Sequence, residues 1–464
     1  MALPLRVCSS SQRKERVMLS RRLGTLKRTA GISLAVALSA SLVAGASVAQ
    51  DEGTVTMLST QLEPLAEQEA VNNVILADAP VDFEFLALQG TGPFFDQIQL
   101  DQETGGGDLD VLGALHGEFA ALAEQGILMD LSDLAAELEI SPALLEAGKL
   151  GTDQQLYIPW MQATYVMAAN IDALQYLPEG ADIDALTWDQ WRDWGKNITE
   201  ATGERRLGLP IRAGAGGALH HRFLQGYLYP SFTGGVNTEF ATDDGIAMWE
   251  WLADAWQYVN PNATWTHMQL PLQNREVDVA WDHTSRLIEA LEAEPDQFVA
   301  FPAPAGPAGR GFMPVIAGLG ILNTSDNPEG AKELIRHFLQ PETQARTLEA
   351  VAFFPVLTVD VPADVGPGLQ AELDAVTKQA ASADALVSQL PVGLGEQGQA
   401  YNDAFQDALK WIIINGQPAA EFLGGSAGPL LQSVLDTAGA ECWAPDPVTE
   451  DAVCQVGGVE DMTG

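Results

Sequence analysis

Asp282, His283 and Ser285 are the residue types of a nucleophilic triad, and they stand almost side by side in the sequence. A triad works only when its three side chains converge in line from different elements of the fold. Neighbours on one segment do not meet that condition, so these residues do not predict a hydrolase centre. The chain also has 63 acidic residues, which bring carboxylates together by chance and leave a glycosidase without selective support.

The histidines and glycines do not predict a metal or nucleotide site. His220 and His221 are adjacent, and adjacent residues on a helix point about 100° apart, so both cannot face one ion. The three glycines at residues 105–107 are too few for a phosphate cradle and lack the Lys-Ser/Thr of a nucleotide loop. We therefore expect no metal and no cofactor, and binding without turnover.

Length and composition indicate a globular protein. The 464 residues exceed what one hydrophobic core usually holds, so about two domains are expected. A hydrophobic content of 47% with 11 tryptophans excludes a disordered chain.

Residues 1–49 are typical of an export signal. Four basic residues within residues 21–28 precede an apolar run rich in small residues at 30–49, which ends in Ser-Val-Ala. An uncleaved membrane anchor is the alternative, but the Ser, Gly and Ala content favours a cleaved signal. The arginine pair leaves the twin-arginine route open beside ordinary secretion. The mature protein is predicted to be periplasmic or extracellular.

The predicted mature chain is strongly acidic. Eight of the 23 basic residues and one of the 63 acidic residues lie in the signal, so 15 basic and 62 acidic residues remain, a net charge of −47. Such a chain repels nucleic acid and anionic membranes, which excludes both as partners.

The chain has three cysteines. Cys8 lies upstream of the predicted cleavage point, so a lipid-anchored N-terminus is not indicated. Cys442 and Cys454 are predicted to form a disulfide around a short loop, because exported proteins meet oxidising conditions.

Alternating strands and helices are expected to position the functional residues. Hydrophobic spacing predicts strands at residues 54–58, 82–88 and 108–112, with helices between and after them. Ligands of open α/β sheets bind beyond the carboxyl ends of the strands. His116 and Glu118 follow the third strand, so both are predicted to face a cleft.

Two later helices carry aromatic stripes. Trp188, Trp191 and Trp194 recur at every third residue, and Thr242 precedes a second helix that contains Trp249. Aromatic residues on one helical face are more often packing than binding residues, so these tryptophans are predicted to lie in the core.

The segment at residues 148–172 carries a family resemblance. It contains Gly-Lys-Leu, then Leu-Tyr-Ile-Pro-Trp ending at Trp160, and Asn-Ile-Asp at residues 170–172. It resembles the crossing between the lobes of extracellular solute-binding proteins of ATP-binding-cassette sugar importers, the family that includes maltose-binding protein. The family's pattern has Asn-Lys-Asp, and its glycine before Ile-Pro is missing here.

Further motifs are similar to those of the same family, over about residues 54–436. They are the glycine-closed helical run at residues 118–134, the Pro-Ala-Gly-Pro-like run at 298–307, Phe-Leu-Gln-Pro-Glu-Thr-Gln at 338–344, and Phe-Phe-Pro-Val at 353–356, which stands for a third crossing. The loop after Trp281 departs from the pattern, because it has Asp-His-Thr where the family has Gly-Pro-Trp.

The resemblance implies a two-lobed α/β fold in which each lobe is an open sheet flanked by helices. Residues 50–158 and 314–356 are assigned to lobe 1, and residues 159–313 and 357–436 to lobe 2. Residues 437–464 form a C-terminal tail that carries the predicted disulfide.

The resemblance also implies a function. The protein is expected to be a monomer that captures a sugar or oligosaccharide by hinge closure and delivers it to an ABC permease energised by a separate ATPase. One alternative is a binder of a polyamine or other cationic molecule, which acids and aromatic rings would cage. The other is a secreted polysaccharide hydrolase, which needs two opposed carboxylates.

Twelve residues are predicted to bind the ligand, because aromatic rings stack on the apolar face of a sugar while carboxylates and amides bind its hydroxyl groups. Trp160, Trp265 and Trp281 are the expected stacking residues. The predicted set is Asp96, His116, Glu118, Trp160, Gln162, Tyr229, Phe232, Trp265, Trp281, Asp282, Gly318 and Phe354.

Overall fold

Strands and helices alternate along the chain as the α/β prediction requires. A computed structural model describes residues 53–140, 142–150, 152–211, 219–262, 265–357, 359, 365–449 and 452–459. The predicted export signal at residues 1–49 lies outside the described residues. Within these ranges, no helix has both the length and the apolar character that a membrane span needs.

The strands, helices and helical turns of the described chain have the following bounds. The strands are β1 Val55–Ser59, β2 Phe83–Ala87, β3 Val111–Leu115, β4 Ile158–Ala163, β5 Tyr165–Asn170, β6 Leu207–Gly208, β7 Val279–His283, β8 Phe298–Phe301, β9 Arg310–Phe312, β10 Val315–Ile321, β11 Phe354–Pro355 and β12 Ala385–Val387. The α-helices are α1 Leu65–Ala70, α2 Thr91–Thr104, α3 His116–Glu124, α4 Ser132–Ala135, α5 Pro142–Gly148, α6 Trp188–Thr202, α7 His220–Phe223, α8 Tyr229–Thr233, α9 Asp243–Ala255, α10 Gln269–Gln273, α11 Thr284–Ala293, α12 Pro328–Phe338, α13 Pro341–Val351, α14 Pro367–Ala380, α15 Gly398–Ala408, α16 Ala419–Phe422 and α17 Gly428–Ala438. π-Helical turns lie at Val71–Ile75, Leu224–Leu228, Leu409–Ile414 and Leu423–Ala427, and 3₁₀ turns at Ile171–Tyr176, Ile183–Ala185, Trp256–Tyr258 and Gly395–Gln397.

The first sheet has six strands in the order β11-β4-β10-β3-β1-β2. Strand β1 runs parallel to β2 and β3, whereas β10 runs antiparallel to β3 and β4. The three parallel strands confirm the predicted strands, but the third begins at Val111. The residues predicted to begin this strand do not extend it, because their hydrogen-bonding groups have other partners. Asp108 N–H donates to Asp101 Oδ1, and the Asp110 carboxylate accepts from Thr56 N–H. We call this sheet with its helices the six-stranded lobe.

The second sheet has four strands in the order β6-β7-β5-β8. Strand β5 is antiparallel to both β7 and β8, and β6 is parallel to β7. We call this sheet with its helices the four-stranded lobe. Its core is aromatic: Trp188, Trp191 and Trp194 of α6 and Trp249 of α9 are at most 1% exposed, which confirms their predicted role. Thr242 Oγ1 accepts from Gly245 N–H and caps α9 as predicted.

The two lobes are connected by short crossings. Strands β4 and β5 belong to the six-stranded and four-stranded sheets and are separated by Thr164 alone. Strand β9 pairs with β12 in a separate two-stranded sheet, and residues 313–314 connect it to β10 of the six-stranded sheet. The Thr164 hydroxyl donates a 3.0 Å hydrogen bond to the Met313 carbonyl, and Thr284 N–H donates to the Thr164 carbonyl at 3.1 Å. The first two crossings are therefore hydrogen-bonded to each other.

The C-terminal tail packs on the four-stranded lobe. Cys442 and Cys454 are joined by a disulfide. Buried Asp446 accepts hydrogen bonds from the backbone N–H groups of Val236, Asn237 and Thr238 at 2.8, 2.8 and 3.2 Å. These bonds satisfy a carboxylate that would otherwise be costly to bury, so the tail is part of the folded core.

Candidate ligand-binding cleft

One wall of a cleft is formed where three parallel strands end. Thr60 and Gln61 follow β1, Gln89 and Thr91 follow β2, and Glu118 follows β3; all five residues line the cleft. The carboxyl ends of parallel strands meet at one edge of a sheet, which is the usual place for a ligand in this kind of fold.

The opposite wall comes from two helices of the four-stranded lobe. Helix α7 supplies His220, His221 and Arg222, and α15 supplies Gln399 and Asn402. These helices are far apart in sequence. They meet because Phe223, at the end of α7, packs edge-on against Trp281 with ring centroids 5.0 Å apart, and α15 packs its own aromatic residues on the same lobe.

The cleft has two adjoining compartments of about 310 Å³ and about 740 Å³. They share Thr91, Leu115, Glu118, Gln399 and Asn402, so they form one space. Volumes of this order suit small organic ligands. Amide, hydroxyl and charged side chains line both compartments among glycines and aliphatic residues, and Phe95 is the one Phe, Tyr or Trp among the described residues that line the cleft.

Glu118 stands where the two compartments join. Its Oε2 accepts hydrogen bonds from the Leu115 backbone N–H and the Thr60 hydroxyl, both at 2.8 Å. Burial raises the pKa of the Glu118 carboxyl, and these two bonds and the charge of Arg222 act in the opposite direction. Two donors hold one oxygen in place, which orients the carboxyl to accept hydrogen bonds from a ligand.

Arg222 and Asn402 are held by the same buried amide. Gln225, which is 1% exposed, accepts a 3.0 Å hydrogen bond from Arg222 Nη1 and donates one of 3.2 Å to Asn402 Oδ1. Gln225 lies in the π-helical turn that follows α7, and such turns often occur at functional sites. These two hydrogen bonds hold the Arg222 guanidinium and the Asn402 amide in place on the same wall of the cleft.

The two histidines of α7 differ in their partners. Gln406 Nε2 lies 3.3 Å from His221 Nδ1. His220 is 5% exposed, burial lowers its pKa to about 4, and its Nδ1 has no hydrogen-bond partner among the described residues. His220 is therefore neutral near pH 7 and retains a buried polar atom beside the larger compartment. Within the described chain, no cluster of His, Cys, Asp or Glu has the arrangement of a metal site.

Two predicted ligand-binding residues line the cleft, Asp96 and Glu118. Asp96 is exposed on α2 at the smaller compartment. His116 lies next to Glu118 but is turned toward the core, because its Nδ1 is 2.7 Å from the Tyr157 hydroxyl. Burial lowers the pKa of His116.

The predicted stacking roles of Trp160 and Trp281 are wrong. Both rings are fully buried: Trp160 packs edge-on against Phe338 at 4.7 Å, and Trp281 stacks on Tyr165 at 4.7 Å with a 10° interplanar angle. Trp281 was expected to leave the carboxyl end of its strand. It lies within β7 and not beyond its end, and its ring packs on Tyr165, so the rule for residues that follow a strand does not apply to it.

Three further predictions are corrected by burial. The Tyr229 hydroxyl donates to the Phe240 carbonyl in the core at 2.7 Å. Asp282 accepts from Met268 N–H and His283 N–H, both at 2.7 Å, so its carboxylate binds backbone rather than ligand or imidazole. Gly318 is needed for packing, because a Cβ at that position would overlap the Tyr157 ring.

The remaining predicted residues lie outside both compartments. Gln162 donates to the Pro355 carbonyl at 3.0 Å, and Phe232 packs on Trp251 with centroids 4.8 Å apart. Trp265 and Phe354 are half-buried against separate hydrophobic clusters.

Several lining residues were missed by the sequence reading. Thr60, Gln61, Gln89 and Thr91 follow the first two predicted strands, so the rule that placed Glu118 would have found them. The residues of α15 have no comparable local signal, because only the folded chain brings that helix to the cleft.

A cleft between two sheet-centred lobes, lined from both sides by hydrogen-bonding side chains, defines a two-lobed solute-binding protein. The family model for bacterial extracellular solute-binding proteins matches residues 77–345, more than half of the chain. The protein belongs to this family. Its members are substrate-binding components of ABC importers and not enzymes, so the hydrolase alternative is set aside. No curated protein is significantly similar to the sequence.

Solved structures show the same fold. The GacH receptor of Streptomyces glaucescens, determined unliganded and with acarbose, has a TM-score of 0.64 and 17% identity over 83% of this chain and 99% of that chain. Maltose-bound MalE3 of T. maritima has a TM-score of 0.65 and 20% identity over 81% and 98%. UgpB of Mycobacterium tuberculosis with glycerophosphocholine has a TM-score of 0.65 and 17% identity over 84% and 100%.

Proposed function

We propose that the protein captures a carbohydrate in the cleft between its lobes, closes around it, and presents it to an ABC permease powered by a separate ATPase. The observation that carries the proposal is the lining, in which Gln61 and Gln89 face Gln399 and Asn402 across the cleft with Glu118 between the compartments. Amides and carboxylates of this kind donate to and accept from hydroxyl groups. The solved relatives named above include proteins bound to maltose and acarbose.

Closure would be carried by the crossings. Strand β4 continues in the six-stranded sheet to Ala163, so we place the first crossing at Thr164 and the second at residues 313–314. A third crossing follows Pro355. The lobe boundaries stay a prediction, as do export to the periplasm or cell exterior and the monomeric state.

The alternative of a cationic ligand has less support. A polyamine cage needs several aromatic rings around the ammonium group. The described lining provides one ring, Phe95, and Arg222 would repel a cation from the smaller compartment. Carboxylates at Glu63, Asp403 and Asp407 line the larger compartment, so a cation would have to bind there without an aromatic cage.

Small-angle scattering and calorimetry on the mature chain test the proposal together. We expect an oligosaccharide that binds by calorimetry to reduce the radius of gyration, because contacts to both walls stabilise the closed form. Asn402→Ala would weaken both responses, and Asn72→Ala, which removes an exposed amide outside the cleft, serves as the matched control. Binding without any change in the scattering curve would contradict closure, and tight binding of spermidine with no carbohydrate response would contradict the ligand class.

A further inference from the structure

Arg222 lacks the carboxylate partner that most basic residues of this acidic chain have. Among the described lysines and arginines, only Arg205, Arg222 and Arg310 have no Asp or Glu oxygen within 4.0 Å. Arg205 donates to the Trp256 carbonyl and Arg310 to the Ala303 carbonyl, so both hold backbone in place. Arg222 is the one of the three that lines the cleft.

The described residues use only part of the hydrogen-bonding capacity of Arg222. Its guanidinium has five N–H donors, and the described residues take one, through Gln225 Oε1. Arg222 lines the smaller compartment, so its remaining donors are available to a ligand there. Burial lowers the pKa of Arg222, and an arginine guanidinium nevertheless remains charged in a protein.

Glu118 lines the same compartment as Arg222 without forming an ion pair with it, so their charged atoms are more than 4.0 Å apart. Both side chains are therefore available to a ligand in this compartment. An anionic group is attracted to Arg222 and repelled by Glu118 and by Asp96, which lines the same compartment, whereas these carboxylates accept hydrogen bonds from hydroxyl groups. The two charges thus fix the orientation of a ligand that has an acidic end and a hydroxylated body. Buried His220, with its unpartnered Nδ1, faces the part of the cleft where that body would extend.

We propose that the ligand is an anionic carbohydrate, whose carboxylate or phosphate group binds Arg222 in the smaller compartment while its hydroxyl groups occupy the larger one. The proposal rests on the proposed function and narrows its substrate class. A guanidinium is suited to this role because its planar fork matches both carboxylate and phosphate oxygens.

The acidity of the whole chain gives the proposal a distinctive salt dependence. Exposed charges act over a screening length of about 8 Å at physiological ionic strength, whereas a contact inside a cleft is screened much less. Added salt would weaken the general repulsion of an anion more than its contact with Arg222. We expect the affinity for an anionic sugar to hold or rise with salt, whereas binding to exposed surface lysines would weaken.

Calorimetry with two sets of probes tests the assignment. The first set is glucuronate, galacturonate and glucose 6-phosphate, and the second is glucose, galactose and maltose. We expect the tightest anionic probe to bind at least about tenfold more tightly than its neutral parent. Arg222→Gln would weaken that probe about 100-fold, since it removes the partner of a desolvated charge. Arg222→Lys would weaken it about tenfold, because an ammonium lacks the planar fork.

Lys196→Gln is the control for net charge. It removes one positive charge from an exposed site on α6 whose ion pair with Glu200 is 4.0 Å long, and it should leave all affinities within about twofold. Thermal unfolding of each variant verifies that it is folded.

The outcomes distinguish the claim that the ligand is anionic from the claim that the protein binds carbohydrate. If neutral sugars bind as tightly as anionic ones and Arg222→Gln weakens both sets equally, the anionic ligand is wrong and carbohydrate binding stands. If neither set binds to the folded wild-type protein, the proposed carbohydrate function fails together with the anionic ligand.

Discussion

The core of the four-stranded lobe and the wall of the cleft use different side chains. In the core, Trp281 stacks on Tyr165 and meets the edges of Phe223 and Tyr227, and all four rings are nearly or fully buried. In the cleft, glutamines and asparagines line both walls beside a carboxylate and a guanidinium. The aromatic residues therefore stabilise the lobe, and the hydrogen-bonding residues are left to recognise the ligand.

The largest expected effect is on the core. Trp281→Ala should lower the free energy of unfolding by about 3–5 kcal/mol, because it leaves a large cavity among packed rings. Urea denaturation measures this change. Trp281→Phe is the matched control: it keeps an aromatic ring and removes an indole N–H that has no hydrogen-bond partner in the described structure, so we expect a loss below about 1.5 kcal/mol. If Trp281→Ala unfolds like the wild type but does not bind ligand, the division between core and cleft is wrong.

A smaller loss of stability is expected when the C-terminal tail is altered, because the tail packs on a helix that carries cleft residues. Trp443 packs on Tyr401 with centroids 5.4 Å apart, and Tyr401 is on the α15 helix that carries cleft residues Gln399 and Asn402. Cys442→Ser should lower the free energy of unfolding by about 2–3 kcal/mol, as expected for a disulfide that closes a short loop. Reduction of the wild-type protein should reproduce the loss. Equal stability of the reduced and oxidised protein would show that the tail does not brace the lobe.

On the cleft side, the main effect should appear in ligand binding. Asn402→Ala should weaken the ligand about tenfold, or about 1.4 kcal/mol, through the loss of one amide. Its free energy of unfolding should fall by about 1 kcal/mol relative to Asn72→Ala, because the buried Gln225 amide loses its acceptor. A stability loss as large as that of Trp281→Ala would assign Asn402 to the core.

The smallest effect concerns pH. Burial raises the pKa of Asp282 from 3.8 to about 7, so the folded protein holds a proton on this residue that the unfolded chain has lost. The contribution of this bound proton to the free energy of unfolding is fully present below about pH 4 and is lost as the pH rises toward 7. Between pH 5 and 8, the free energy of unfolding should fall more in the wild type than in Asp282→Asn. The Tm of the wild type relative to that of the variant should therefore fall by a few degrees. The histidines titrate in both proteins and cancel in this comparison. A constant difference would show that Asp282 is ionised throughout.

The sequence predicts the parts of the structure that depend on local pattern. The parallel strands, the cap of α9 at Thr242 and the packing of Trp188 follow from residue spacing, and the position of Glu118 follows from its place after β3. The same reasoning fails for Trp281, because the residue at which a strand ends depends on pairing with distant segments. An aromatic residue after an apolar run has the same local signal whether the fold buries it or exposes it.

The second wall of the cleft illustrates what local pattern leaves out. Arg222 and Asn402 are distant in sequence and are brought together by Gln225, whose hydrogen bonds exist only in the folded protein. The i, i+3 spacing relates Arg222 to Gln225, but no spacing rule relates either of them to Asn402.

The single residue between β4 and β5 has a mechanical consequence. A connection through Thr164 alone has no slack, so turning one lobe against the other must be absorbed by the torsion angles of very few residues. The Thr164 hydroxyl is bonded to the Met313 carbonyl of the neighbouring strand connection, so independent twisting of the two connections would break that hydrogen bond. The closure proposed above would therefore favour concerted rotation about both connections.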